Sequence, residues 1–175
     1  MYWRADNTRL RKVWERRFRK LLAHAYPRSG APSAKRARVL RGFPDEASDA
    51  ELFLTELAWP EVEPFWIFEN SEYLTFIGLE AFRYYMPALM LSALRQPGEF
   101  GTDLLVGLFS PHHWGQDFAS LVASMTACQK RAAALFLDAM REVTSEESGP
   151  GSTLYGPGSA ARSLEAYWKQ NLEPL

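Results

Sequence analysis

Apolar residues recur at three- and four-residue steps over much of the chain, and that spacing predicts helices. From Thr8 to Tyr26 the stripe is Leu10, Val13, Trp14, Phe18, Leu21, Leu22 and Tyr26. Arg9, Arg11, Lys12, Arg16, Arg19 and Lys20 fall mostly on the other faces of that helix. Pro27 and Gly30 end it, and Arg28 to Pro44 has few apolar side chains and several turn formers, which fits a loop or a short, weak helix. A second helix is expected from near Ser48, where Ser48 and Glu51 have capping-box spacing, through Leu52, Phe53, Leu54 and Leu57 to about Trp59, where Pro60 stops it. The stretch from Glu61 to Phe76 is ambiguous: Pro64 and the run Phe65-Trp66-Ile67-Phe68 fit a buried turn, a short helix or a short strand.

From Leu79 the helical pattern resumes through Phe82, Tyr85, Met86, Leu89, Met90, Ala93 and Leu94, ending before Pro97-Gly98. Thr102 and Asp103 can cap a short helix from Leu104 to Phe109, which Pro111 follows. Phe118, Leu121, Val122 and Met125 suggest one or two more turns. Thr126 and Gln129 again have capping-box spacing and open a helix carrying Ala132, Ala133, Leu135, Phe136, Ala139, Met140 and Val143. Residues 148–158 contain four glycines and two prolines and read as a loop. A last helix, about Ala160 to Leu172, presents Leu164, Tyr167, Trp168 and Leu172 on one side. No repeat period is visible. The pattern predicts one all-α domain over residues 1–175, a compact multi-helix bundle with at most one short strand or hairpin near 65–76.

Composition supports a folded domain, with 47% hydrophobic residues and 24 aromatic side chains. Cys128 is the one cysteine, so no intrachain disulfide is possible; this suits a reducing compartment, and a cytoplasmic location is expected. No apolar run approaches the roughly 20 residues of a spanning helix. The longest candidate, Met86 to Leu94, is interrupted by Pro87 and Ser92. The N-terminus lacks the basic-then-apolar order of a secretory signal.

Charge changes the picture more. The formal net charge is −1, yet residues 1–41 carry 13 Lys and Arg against Asp6 and Glu15, and the rest of the chain carries 7 basic and 19 acidic residues. A basic arm for nucleic acid or an anionic membrane is one reading of such a split. The favoured reading is that the basic segment packs on the acidic body, because it has an apolar stripe of its own.

The segment Glu80-Ala81-Phe82-Arg83-Tyr84-Tyr85-Met86-Pro87-Ala88 is chemically unusual. It resembles the signature of an uncharacterised family of small bacterial proteins, a domain of unknown function. Trp59, the Thr126-x-x-Gln129 helix start with Phe136-Leu137, and Tyr167-Trp168 are similar to flanking features of that family, so the resemblance spans roughly residues 8–170. The chain departs from it at Ile77-Gly78-Leu79, where the family often reads Leu-Thr-Pro, and in its longer glycine-rich loop. The resemblance implies a mostly helical domain and supplies no catalytic residues.

Glu80, Arg83 and Tyr84 are the candidate interaction surface. Pro87 breaks one backbone hydrogen bond within the helix and can splay Arg83 and Tyr84 toward a partner. Against this, Glu80 can pair with Arg83 one turn away while Tyr84 and Tyr85 pack in the core. His112-His113 with Asp117 has spacing that can share a metal, but Gly115 interrupts a helix there and a surface loop is expected. Cys128 is a nucleophile only if His24, His112 or His113 reaches it, and a small packing residue otherwise. There is no Gly-rich phosphate loop, nucleophile elbow or paired CxxC, so no catalytic residue, metal or cofactor is expected. The expected function is a non-enzymatic protein-binding module with a basic partner, such as an immunity-type protein that neutralises a toxin. The alternatives are nucleic-acid binding through the basic N-terminal segment and an unrecognised enzyme.

Overall fold

The structure, a computed structural model, describes residues 7–26, 58–95, 100–144 and 159–172. Its helices are α1 (Asn7–Ala25), α2 (Pro64–Glu69), α3 (Ser71–Leu74), α4 (Leu79–Arg95), α5 (Phe100–Gly107), α6 (Pro111–Trp114), α7 (Phe118–Ala123), α8 (Ala127–Thr144) and α9 (Ser159–Ala166). Short 3-10 turns cover Trp59–Glu61, Gly115–Asp117 and Trp168–Asn171. The described residues form a helical bundle and contain no strand, only an isolated bridge at Ile77. The expected second helix from Ser48 and the loop at 148–158 lie outside the described residues, apart from Ala58 and Trp59.

The bundle is organised round α4 and α8. Helix α4 is buried on nearly every side from Ala81 to Leu94, which makes it the central element. Helix α8 begins with the capping box read from sequence: the Thr126 backbone N–H donates to Gln129 Oε1 at 3.0 Å, and the Gln129 N–H to Thr126 Oγ1 at 3.2 Å. Its Ala132-Ala133-Ala134 run is wholly buried, and small side chains let neighbouring helices approach closely. Helices α1 and α9 pack on α8, α2 and α5 pack on α4, and α3 packs on α5.

Aromatic rings link these elements. Phe18 of α1 meets Phe136 of α8 edge-on at 6.4 Å, Phe136 meets Phe109 at 4.8 Å, Phe109 meets Phe82 at 5.3 Å, and Phe82 meets Trp114 at 5.0 Å. The buried indoles are satisfied: Trp114 Nε1 donates to the Leu108 carbonyl and Trp168 Nε1 to the Phe109 carbonyl, both at 2.7 Å.

The aromatic run at 65–68, open in the sequence between a turn, a short helix and a short strand, falls in a short helix, α2. Pro64 occupies the first helical position, where its fixed φ suits a helix and its missing N–H costs nothing. The backbone donors of Ile67, Asn70 and Leu74 go to the carbonyls of Glu63, Trp66 and Asn70, leaving none of the three for a strand ladder. Helix α5 starts at Phe100, so Thr102 is a fully buried interior residue rather than a cap. The expected loop at 110–118 is the single-turn α6 followed by a 3-10 turn. Ser110 caps α6 by accepting the His112 N–H, and Gly115 takes φ +54°, a conformation that side chains with a Cβ rarely adopt.

Candidate functional site

Helix α1 docks on the body through Phe18, Leu22, Ala25 and Tyr26, which are buried, with Leu21 half-buried. Val13, assigned to the same stripe, is 48% exposed. It stands five residues from Phe18 and so lies round the helix from the buried line. The side chains of Leu10 and Trp14 are outside the described residues. The contact with the body is apolar, as the stripe suggested, and the ion pair that crosses it among the described residues has its base on the body. The acid is on α1: Glu15 Oε1 accepts from Arg19 at 3.0 Å and from Arg95 of α4 at 3.3 Å. Partial burial works to raise the Glu15 pKa, but the two guanidiniums outweigh it and hold the carboxyl below its ordinary value. Lys12, Arg16, Arg17 and Lys20 are exposed and join no ion pair among the described residues.

The proposed surface of Glu80, Arg83 and Tyr84 does not come together as one site. Glu80 is exposed in the first turn of α4, and no ion pair joins it to Arg83 among the described residues. Arg83 is half-buried and donates from Nη1 to the Ser124 carbonyl at 3.3 Å, where α7 ends. Tyr84 is half-buried against the edge of buried Tyr85, with ring centres 4.8 Å apart. Next to them the Tyr26 hydroxyl donates to Met86 Sδ at 3.4 Å. Burial pushes the Tyr26 hydroxyl far above its ordinary pKa, against the pull of the Arg83 charge, and burial raises Tyr85 as well. Arg83 therefore braces α4 against the α7–α8 turn. Helix α4 runs on through Pro87, which is buried and supplies no N–H to the Arg83 carbonyl.

The other candidates stay apart. Cys128 is half-buried in the first turn of α8, packed against the core, and no hydrogen bond links it to a histidine. His113 stacks edge-on with Trp114 at 4.9 Å, while His112 and His24 are exposed. Among the described residues, no group of three or more His, Cys, Asp or Glu is placed to hold a metal ion.

Two features were not anticipated. The first is a cleft of about 360 Å³ between α1, α4 and the 3-10 turn at Trp59. It is lined by the buried Leu22, Val62, Ala88 and Leu91, by Arg19 and Arg95 from α1 and α4, and by Trp59, Glu61 and Glu63 from the turn and the residues after it. Glu61 is anchored there, its Oε2 accepting the Ala58 N–H at 3.0 Å.

The second feature is an acidic face that includes Glu61 and Glu63 of the cleft. Residues 42–82 contain no Lys or Arg at all, a signal that was available in the sequence. The structure exposes Glu61, Glu63, Glu69, Glu72 and Glu80 from this stretch, none in an ion pair among the described residues. In the same stretch of sequence Phe65 of α2 is 56% exposed and Phe76, just after α3, 43%, while Ile67 of α2 and Leu74 of α3 are buried.

A family model described as a family of unknown function, DUF6714, matches residues 39–172. The chain belongs to DUF6714. The match takes in the whole bundle from the Trp59 turn to the last 3-10 turn and leaves α1 outside it. The EAFRYYMP segment on which the family resemblance rested is inside the matched span, on the central helix of this DUF6714 domain. No curated protein and no solved structure matches the chain.

Proposed function

We propose that this DUF6714 protein is a non-enzymatic binding module that takes a basic protein on its acidic face. The observation that carries the reading is Phe65, more than half exposed in a stretch of sequence whose Glu61, Glu63, Glu69 and Glu72 are exposed as well. Exposed large aromatics rimmed by like charges are costly to leave in water, and protein interfaces use such residues as anchors. Unpaired carboxylates of one sign steer a positively charged partner and set its register. An inhibitor that neutralises a basic toxin, as immunity-type proteins do, is one form of this role. Glu80 belongs to the face, whereas Arg83 and Tyr84 support the helix behind it.

Comparative capture tests the reading. Wild-type bait should retain a basic partner that Phe65→Ala and the double variant Glu69→Lys/Glu72→Lys lose, with release by salt. Capture unchanged in both variants would sink it. The outward stripe Lys12, Arg16, Arg17 and Lys20 favours a second reading, nucleic-acid binding along α1. The excess of acid in the rest of the chain opposes it.

A further inference from the structure

The acidic face calls for a surface that is basic and partly apolar, and the chain carries one of its own. Lys12, Arg16 and Lys20 follow one another at four-residue steps on the solvent side of α1, with Arg17 and exposed Val13 beside them. Helix α1 has 19 residues and is therefore about 28 Å long, enough to lie along a neighbouring surface. The two faces adjoin. Arg19 of α1 lines the same cleft as Glu61 and Glu63. Going round the helix from Arg19, Lys12 and Arg16 come next, so the basic face starts at the cleft rim and runs outward.

We infer that this protein pairs with a second copy of itself, each copy's α1 stripe lying on the other's acidic face across a two-fold axis near the cleft. The inference rests on the acidic face being a protein-binding surface, as proposed above. With both faces flanking one cleft, a two-fold rotation sets basic against acidic twice and closes the pair without a free end. A net charge of −1 means that two copies have almost no overall repulsion to overcome. Val13 on one face and Phe65 and Phe76 on the other add apolar contact to the charge pairing. A polyanion on the same stripe would lie next to the carboxylates of Glu61 and Glu63, which favours a protein surface there.

Sedimentation equilibrium on the full chain tests the pairing. In about 20 mM salt the mass should approach twice the 19.9 kDa chain, and Kd should rise at least about tenfold by about 300 mM salt, as screening shortens. The triple variants Lys12→Glu/Arg16→Glu/Lys20→Glu and Glu63→Lys/Glu69→Lys/Glu72→Lys should each be monomeric alone, keep their helical circular dichroism, and pair when mixed one to one. Wild type that stays monomeric at low salt overturns the pairing, as does a dimer indifferent to both variants or a monomer whose α1 stripe binds DNA. If wild type stays monomeric while the acidic face still captures a basic partner, self-pairing fails and the reading of that face stands. If the Glu-to-Lys variant captures the partner as well as wild type does, the reading of the face fails too.

Discussion

At the scale of single residues, Gly115 stands apart as the one positive-φ position among the described residues. Its φ of +54° is forced by the tight passage from α6 into the following 3-10 turn, where its N–H donates back to the Pro111 carbonyl. A Cβ there would meet nothing within 4 Å, so the cost of substitution is one of backbone conformation and not of crowding. Gly115→Ala should therefore lower stability by about 1–3 kcal/mol in denaturant titration, with little change in the slope. A neutral result would mean that the turn relaxes to another conformation. Buried Ser92 shows a different demand, since its hydroxyl donates to the Pro64 carbonyl and so ties α4 to the start of α2.

Elements divide by length in how well they can be read from sequence. Helices α1, α4 and α8 span five turns or so each, and their apolar spacing and the Thr126 cap announce them. Helices α2 and α3 have six and four residues, too few for a helical period to show, and their aromatic and β-branched content suits strands equally well. Thr102 reads as a cap because threonine usually is one near a helix start, and only packing against neighbours reveals it as interior. The acidic face is half legible: the lack of Lys and Arg over 42–82 is plain, but nothing in the spacing says that Phe65 faces water while Ile67 does not. Glu15 and Arg95 are 80 residues apart, so their pairing needs the fold. That pair gives an element-scale prediction. Burial raises the Glu15 pKa and its two arginines lower it further than that, for a net depression. Its stabilisation is thus full above the unfolded glutamate value near pH 4.3 and disappears as pH falls through the lower folded value. Glu15→Gln should cost under about 1 kcal/mol at pH 7, as partly exposed pairs do, and the difference from wild type should close as pH falls through the lowered folded value. A gap that widens in acid would contradict the assignment.

For the whole molecule, the family match starts at residue 39, yet the bundle uses α1 as part of its core. Phe18, Leu22, Ala25 and Tyr26 close one side of α8 and α4. Large apolar side chains of this kind contribute on the order of 1.5–3 kcal/mol each, and a domain's total stability is only about 5–15 kcal/mol. A chain lacking residues 1–26 should accordingly be insoluble or lose its cooperative melting transition, measured by circular dichroism and calorimetry. A truncated chain that melts like wild type would make α1 an appendage and return the basic segment to the role of an arm.

The burial of α4 on nearly all sides also bears on how the chain is born. Its covers come from both directions along the sequence, α1 and α2 before it and α5 with the rings of Phe109 and Trp114 after it. At synthesis rates of about 5–20 residues per second, the stretch from Arg95 to Trp114 takes on the order of 1–4 s to follow α4 out of the ribosome. During that interval Met86-Pro87-Ala88-Leu89-Met90-Leu91 has only its upstream neighbours for shelter, so the nascent chain presents apolar surface that is open to association with other chains.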